Sequence, residues 1–316
     1  MSNRVQVVVH IANWHTKWII GGIFREAAEA YSLKPVWRIY PTSKKDFLDL
    51  KVILSRVHSG IGQLNVYAHQ DTYFSVFATI PEQIRHNRNR VYFTHFNQGQ
   101  ILTQEQISAL EYCEKILVQN EAMQNYLISK GVSTDKIVRI PGAVNREIFK
   151  PVNRIPENRY VLFSGDFKYR KNPDLIAEVI THMPDIDFVI HGKNWDSFPP
   201  EVLRASLNLT CLDFDLGTQA SLIRRASLYV SLSLLEGGPY SILEALASGT
   251  PVVATDTGFC AEFIDSTNGI LLPNLPDVAM VDSAIRQALQ LKSQTWNQDL
   301  LYGAWQWHDL GKLIFA

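Results

Sequence analysis

Leu235-Glu236-Gly237-Gly238-Pro239-Tyr240-Ser241-Ile242-Leu243-Glu244-Ala245-Leu246-Ala247-Ser248-Gly249-Thr250-Pro251-Val252-Val253-Ala254-Thr255 is the stretch on which the fold turns. It closes the apolar run Leu228–Leu235, whose length and composition fit a buried strand. Gly237 and Gly238 permit a tight turn and a close approach of a ligand to the backbone. Pro239 suits the first helical turn, where its missing N–H costs nothing. Gly249 ends the helix and Pro251 opens the next strand. N–H groups at the helix start, backed by the positive end of the helix dipole, make a site for a diphosphate. Glu236 sits at the strand's carboxyl end, and Glu244 lies about 8 Å along the helix axis from Pro239. Carboxylates flanking a phosphate site accept hydrogen bonds from sugar hydroxyls. Without a ligand the same residues read as a turn-capping Glu236 and an exposed helical Glu244.

Outward from this unit, short apolar runs alternate with helical patterns, which argues for an α/β fold with parallel sheets. In the first half the strands are expected at Val5–His10, Pro35–Ile39, Gln63–Ala68, Val91–His95 and Lys115–Gln119. Helical stretches such as Gly22–Tyr31, Thr103–Tyr112 and Asn120–Lys130 separate them. The Pro- and Asn-containing segment Phe149–Pro156 then interrupts the pattern and reads as a domain linker. Strands resume at Tyr160–Ser164, Asp187–His191, Asn208–Leu212, Leu228–Leu232, Pro251–Ala254 and Gly269–Leu272. Helices are expected near Asp174–His182, Gln219–Arg225, Ser241–Ser248 and Asp277–Leu291. Two doubly wound sheets in tandem follow, with ligands expected outside the carboxyl ends of the strands. The boundaries are residues 1–150 for one domain and 151–302 for the other.

The chain has 316 residues, enough for two domains with real cores. No apolar run reaches the ~18–20 residues of a membrane span, and the N-terminus has no secretion-signal pattern. Cys113, Cys211 and Cys260 are isolated and follow neither disulfide nor zinc spacing, which fits a reducing cytoplasm. Residues 1–150 carry 18 Lys and Arg against 12 Asp and Glu, a net of +6, and the remainder is −7. The basic half suits an anionic acceptor or a membrane surface. Its densest patch, Arg85-His86-Asn87-Arg88-Asn89-Arg90, reads as a solvated loop, and no nucleic-acid motif accompanies it.

The Leu235–Thr255 segment resembles the Glu-x7-Glu motif of retaining GT-B glycosyltransferases, family 4 especially. Ser164-Gly165-Asp166-Phe167-Lys168-Tyr169-Arg170-Lys171-Asn172-Pro173 is similar to that family's Gly-Arg-Leu-x3-Lys-Gly loop. Ile140–Phe149 resembles its Pro-Asn-Gly-Val-Asp linker, and Trp307-His308-Asp309-Leu310 the start of its closing helix. The match is strong from about Pro141 to Gly258 and faint before it. The resemblance implies two Rossmann-like domains facing across a cleft, with a helix at about 303–316 crossing back to the first. It also implies sugar transfer from a UDP-, GDP- or ADP-linked donor to a glycan or lipid-linked acceptor, as in polysaccharide biosynthesis. Anomeric configuration is then retained, with no cofactor and no metal.

By the same resemblance, Glu236 contacts the donor sugar and Glu244 the ribose. Gly237, Gly238 and Tyr240, Ser241 and Ile242 hold sugar and phosphates through backbone N–H groups. Lys171 neutralises the diphosphate, whose negative charge grows as it leaves. Gly165 belongs to the same loop. Asp166 stands where the family has arginine, and a carboxylate beside a diphosphate is repulsive. Lys168 or Arg170 is the substitute cation, or Asp166 turns away, or the donor is bound weakly. In the first half, Gly21 and Gly22 precede the first helix and resemble the family's phosphate- or acceptor-facing glycine pair. His95, at the end of its strand, resembles the family histidine near the reacting sugar, with His15 and His69 as competitors.

Asp213-Phe214-Asp215 has the look of a metal-binding Asp-x-Asp, but two aspartates on a loop make no magnesium site by themselves. A Gly-x-Gly-x-x-Gly dinucleotide fingerprint is absent, which disfavours a dehydrogenase. Two alternatives share the fold: a non-catalytic nucleotide-binding protein, and a nucleotide-sugar epimerase or phosphorylase.

Overall fold

A computed structural model describes residues 6–13, 19–49, 54, 64–95, 101–140, 142–151, 160–195, 206–291 and 306–316. His15, Pro141, most of the expected linker and residues 303–305 lie outside them. The chain divides into two compact units, Met1–Gly142 with Gln306–Ala316, and Ala143–Trp305.

In the first unit six strands form one parallel sheet: β1 Val7–Ala12, β2 Val36–Tyr40, β3 Leu64–Tyr67, β4 Arg88–Phe93, β5 Lys115–Val118 and β6 Ile137–Arg139. Their order is β2-β1-β3-β4-β5-β6, so the winding reverses between β1 and β3. One face packs Tyr67, Val91, Phe93, Ile116 and Val118 against apolar residues of the Gln70–Thr79, Gln104–Ala109 and Glu121–Ser129 helices. Phe24 of the Ile19–Ala30 helix meets Tyr92 edge to face at 5.5 Å. The β6 strand and the Gln70–Thr79 helix are additions to the sequence expectation. β6 is three residues long, and the helix is rich in aromatic and β-branched residues that favour strands.

The Trp307–Phe315 helix, last in the chain, packs on the Ile19–Ala30 helix. A Cβ on Gly311 would lie 2.4 Å from the Ala27 carbonyl oxygen, so only glycine allows this approach. Arg90, 1% exposed, donates from Nη1 to the Ile314 carbonyl at 3.0 Å and from Nη2 to Glu114 at 2.8 Å. The expected solvated loop at Arg85–Arg90 is therefore corrected. Arg88, Asn89 and Arg90 open β4, and Asn89 and Arg90 are buried. Arg88 pairs with Glu114, while Arg85 and His86 pair with Glu82. The basic string is a set of paired groups because each guanidinium finds acceptors within reach.

The second unit holds β7 Val161–Ser164, β8 Phe188–His191, β9 Leu209–Leu212, β10 Leu228–Ser231, β11 Val252–Thr255 and β12 Gly269–Leu272. Their order, β12-β11-β10-β7-β8-β9, is all parallel and is the Rossmann order. Alternation along each strand feeds two cores. Val161, Phe163, Leu228, Val230 and Val253 face the Pro173–His182 and Val278–Ala288 helices. Leu162, Tyr229, Val252 and Ala254 face the Leu216–Arg225 and Tyr240–Ala247 helices. Period-two burial on both faces is what a sheet sandwiched between helix layers requires. Val144 and Phe149 belong to the second of these cores. Among the described residues no helix is long and apolar enough to cross a membrane.

Candidate functional site

The winding of the second sheet reverses between β7 and β10, the place where ligands of such sheets bind. The loops leaving these two strands carry the charged residues of the site. After β7, Gly165 has φ +148, and a Cβ on it would come within 3.2 Å of the Lys171 side chain. Glycine thus lets Lys171 fold back over its own loop. Tyr169–Lys171 forms a 3-10 turn that ends at Asn172 in the left-handed conformation. The Leu234 N–H donates to the Arg170 carbonyl at 2.8 Å, pinning this turn to the loop after β10.

Glu236 lies in that second loop and is buried. Its Oε1 accepts from Arg170 Nη1 at 2.6 Å, Lys171 Nζ at 2.5 Å and Ser233 Oγ at 2.9 Å. Burial pushes this carboxyl up, but the charges of Lys171 and Arg170 and the hydrogen bonds outweigh it and hold the group at about 2. Lys168, on the same loop, is lowered by burial and then by the neighbouring Arg170.

The Tyr240–Ala247 helix starts directly behind Glu236. Pro239 is its N-cap, with φ −75 and ψ 89, so it stands one residue before the helix rather than in its first turn. Fixed φ suits Pro239 to either position. The Ile242 N–H donates to the Pro239 carbonyl at 2.9 Å, so of the expected Tyr240–Ile242 donors this one is engaged within the turn. Gly249, φ +76, terminates the helix as expected. A Cβ on Gly258 would lie 2.9 Å from the Gly237 carbonyl, so two glycine-containing loops meet here.

Glu244 projects from the same helix, half-buried, and burial raises its carboxyl to about 7. Gln219 Nε2 donates to its Oε2 at 3.4 Å. Sequence reasoning missed this neighbourhood. Gln219 Oε1 accepts from Ser164 Oγ at 3.1 Å and faces His191 Nδ1 at 2.6 Å. The Asp215 N–H donates to His191 Nε2 at 3.0 Å, which fixes the proton on Nδ1 as a donor to Gln219. Lone polar residues at a strand end and on a helix leave no spacing signal. The only hint was the position of His191 at the carboxyl end of a strand.

Asp166 reaches the loop after β8, where its Oδ1 accepts the Lys193 N–H at 3.2 Å, and its charge also acts on Lys168. Asp215 of the Asp-x-Asp pair caps the Leu216–Arg225 helix through the Thr218 N–H at 2.9 Å. Both carboxylates serve loop structure.

In the first unit, Gly21 and Gly22 lie within the Ile19–Ala30 helix and do not precede it. Apolar spacing continues through the pair, with Ile23, Phe24, Ala27 and Ala28 buried, and that packing overrides the weak helix propensity of glycine. His95 follows β4, half-buried, and Gln70 Nε2 donates to its carbonyl at 3.0 Å. His69 is committed to structure: its Nδ1 caps the Gln70–Thr79 helix through the Asp71 N–H, and Nε2 meets Thr94 Oγ1 at 3.0 Å.

The model of the glycosyl transferases group 1 matches residues 144–298, nearly the whole second unit. The second unit is a glycosyl transferases group 1 domain. Over 193 residues the chain is 27% identical to a component of the phosphatidylinositol N-acetylglucosaminyltransferase of Arabidopsis thaliana. That match covers 57% of this chain and 43% of the relative, so the chain aligns with less than half of that protein's length. Among solved structures, HepE of Anabaena in complex with UDP superposes with a TM-score of 0.75 at 12% identity, over 98% of each chain. Sucrose-phosphate synthase of Thermosynechococcus elongatus superposes at 0.74 and 14% identity, over 98% of this chain and 97% of that one. Two parallel six-stranded sheets with flanking helices are the GT-B architecture, as the resemblance implied. Glu236, Glu244, Arg170 and Lys171 all fall within the matched residues 144–298, and Arg170 and Lys171 are the cations that meet Glu236.

Proposed function

We propose that this chain transfers a sugar from a nucleotide-sugar donor to a glycan or lipid-linked acceptor, with retention of anomeric configuration. The observation that carries the reading is the convergence of Arg170 and Lys171 on Glu236, at the sheet's switch point and beside a glycine turn that opens a helix. Cations and a helix N-terminus suit a diphosphate, and buried carboxylates suit sugar and ribose hydroxyls.

In this reading Glu236 holds the sugar and Glu244 the ribose. Gly165 gives Lys171 its room, while Gly237, Gly238, Tyr240 and Ser241 line the sugar and phosphates. Arg170 and Lys171, with Lys168 beside them, stabilise the leaving diphosphate, a task that needs no metal. Arg170 supplies the charge that Asp166 does not. His95, Gly21 and Gly22 are the first unit's proposed contributors. UDP is the favoured carrier, because HepE is solved with UDP and with UDP-glucose. A phosphatidylinositol-directed relative favours a lipid-linked acceptor.

Thermal unfolding against UDP-, GDP- and ADP-sugars tests the donor site. A ligand at 100 times its dissociation constant adds about 2.7 kcal/mol. Stabilisation by one nucleotide class, unchanged by magnesium chelation and lost in Lys171→Ala, is expected. No stabilisation by any of them sinks the reading. Proton NMR of the product's anomeric centre then tests retention.

A further inference from the structure

We propose that Glu236 discriminates the sugar-charged donor from the spent nucleoside diphosphate by competing with the diphosphate for Arg170 and Lys171. This rests on the donor-site reading above. Both cations and Ser233 Oγ meet a single carboxylate oxygen, Oε1, at 2.5–2.9 Å. Two cationic donors on one anionic oxygen is the arrangement a phosphate oxygen receives. Glu236 therefore holds the cations as an internal anion would.

Backbone contacts fix the turn that delivers both cations. The Arg170 carbonyl accepts the Leu234 N–H at 2.8 Å, and the Lys171 N–H donates to the Lys168 carbonyl at 2.8 Å. Only the two side chains need to swing for the cations to change partner. Once they turn to a diphosphate, the buried Glu236 carboxylate loses its compensation, which is costly unless other donors replace them. A nucleotide sugar brings hydroxyl donors together with its diphosphate. A nucleoside diphosphate brings none from a sugar at that end. Glu236 thus weakens the binding of product more than that of donor, and after transfer it reclaims Arg170 and Lys171 and promotes product release.

Calorimetric titration of UDP, GDP and ADP, and of their glucose conjugates, into the whole wild-type chain and Glu236→Gln tests this. The isosteric amide keeps the volume and removes the charge. In Glu236→Gln the accepted nucleoside diphosphate binds about tenfold tighter than in wild type, while the nucleotide sugar gains nothing or loses affinity. Circular dichroism melting checks that the variant is folded. The wild-type chain gives an independent reading: its nucleotide sugar binds at least as tightly as the matching diphosphate, and a diphosphate tighter by tenfold overturns the proposal. Diphosphate binding by Glu236→Gln equal to or weaker than wild type overturns it while leaving the donor site intact. No binding of any nucleotide by either protein overturns both.

Discussion

His191 Nδ1 lies 2.6 Å from Gln219 Oε1, and this contact orders the polar network of the group 1 domain. The Asp215 N–H fixes the imidazole tautomer, the imidazole fixes which end of the Gln219 amide faces it, and the other end then points at Glu244. Two strand ends and a helix are tied through one side chain, since Ser164 at the end of β7 also donates to Gln219.

Gln219→Leu breaks this chain of orientation without touching the phosphate cations. The expected result is a donor KM raised about tenfold with kcat changed much less, the signature of lost ground-state positioning. The ratio of affinities for a ribonucleoside diphosphate and its 2′,3′-dideoxy analogue falls toward one. A variant that keeps the wild-type ratio shows Gln219 to be packing alone.

With Glu244 on the ribose as proposed, donor binding is expected to depend on pH near neutrality. Burial raises its folded-state carboxyl to about 7 from an unfolded value of 4.5. Between pH 4.5 and 7 the folded chain binds the extra proton, so this group's contribution to stability declines as pH rises through that window. Glu244→Gln melts higher than wild type above pH 7, and the difference closes toward pH 4.5. Ribose hydroxyls favour the ionised form, so wild-type affinity for a nucleotide sugar falls as pH drops from 8 to 6, by roughly tenfold. Glu244→Gln binds more weakly at pH 8 and shows no such slope. A wild-type affinity flat across this range contradicts the assignment.

Asp166 is held by the Lys193 N–H and forms no ion pair with Arg170 or Lys171, which meet Glu236. Asp166→Asn keeps an acceptor there and removes the charge, so nucleotide affinity stays within about threefold of wild type. A gain beyond tenfold means that the carboxylate faces the phosphates.

Arg90→Ala removes a buried cation from Glu114 and from the carbonyls of the last helix. Glu114 keeps Arg88, so the cost is that of the buried carbonyls left without their donor, about 1–3 kcal/mol. Denaturant melts should show that loss, and hydrogen exchange should show the Trp307–Phe315 amides opening first. A loss below about 1 kcal/mol contradicts the role given to Arg90.

The strands other than β6 were legible because most are short runs of Val, Ile, Leu and aromatic residues bounded by turn formers. Glu236 and Glu244 were legible because Gly237, Gly238, Pro239 and Gly249 punctuate their loop and helix. What stayed hidden came from packing and from distance. Gly21 and Gly22 read as a helix boundary because glycine is a breaker by propensity, yet Ile23, Phe24 and Ala27 bury that face. Arg90 read as solvated because its acceptors include a carbonyl 224 positions away. Gln219 and His191 are single polar residues whose partners are chosen by the sheet order, which local sequence does not encode.

The last helix also bears on how the protein is made. Ala27 and its neighbours leave the ribosome before the second unit, while Gly311, which seats against them, follows it. Through that interval of synthesis the Ile19–Ala30 helix has no Trp307–Phe315 cover. The second unit is one continuous stretch and can fold as it emerges, whereas the first also needs Gln306–Ala316. Until Gly311 follows, the Ala27 side of the first unit lacks the helix that covers it.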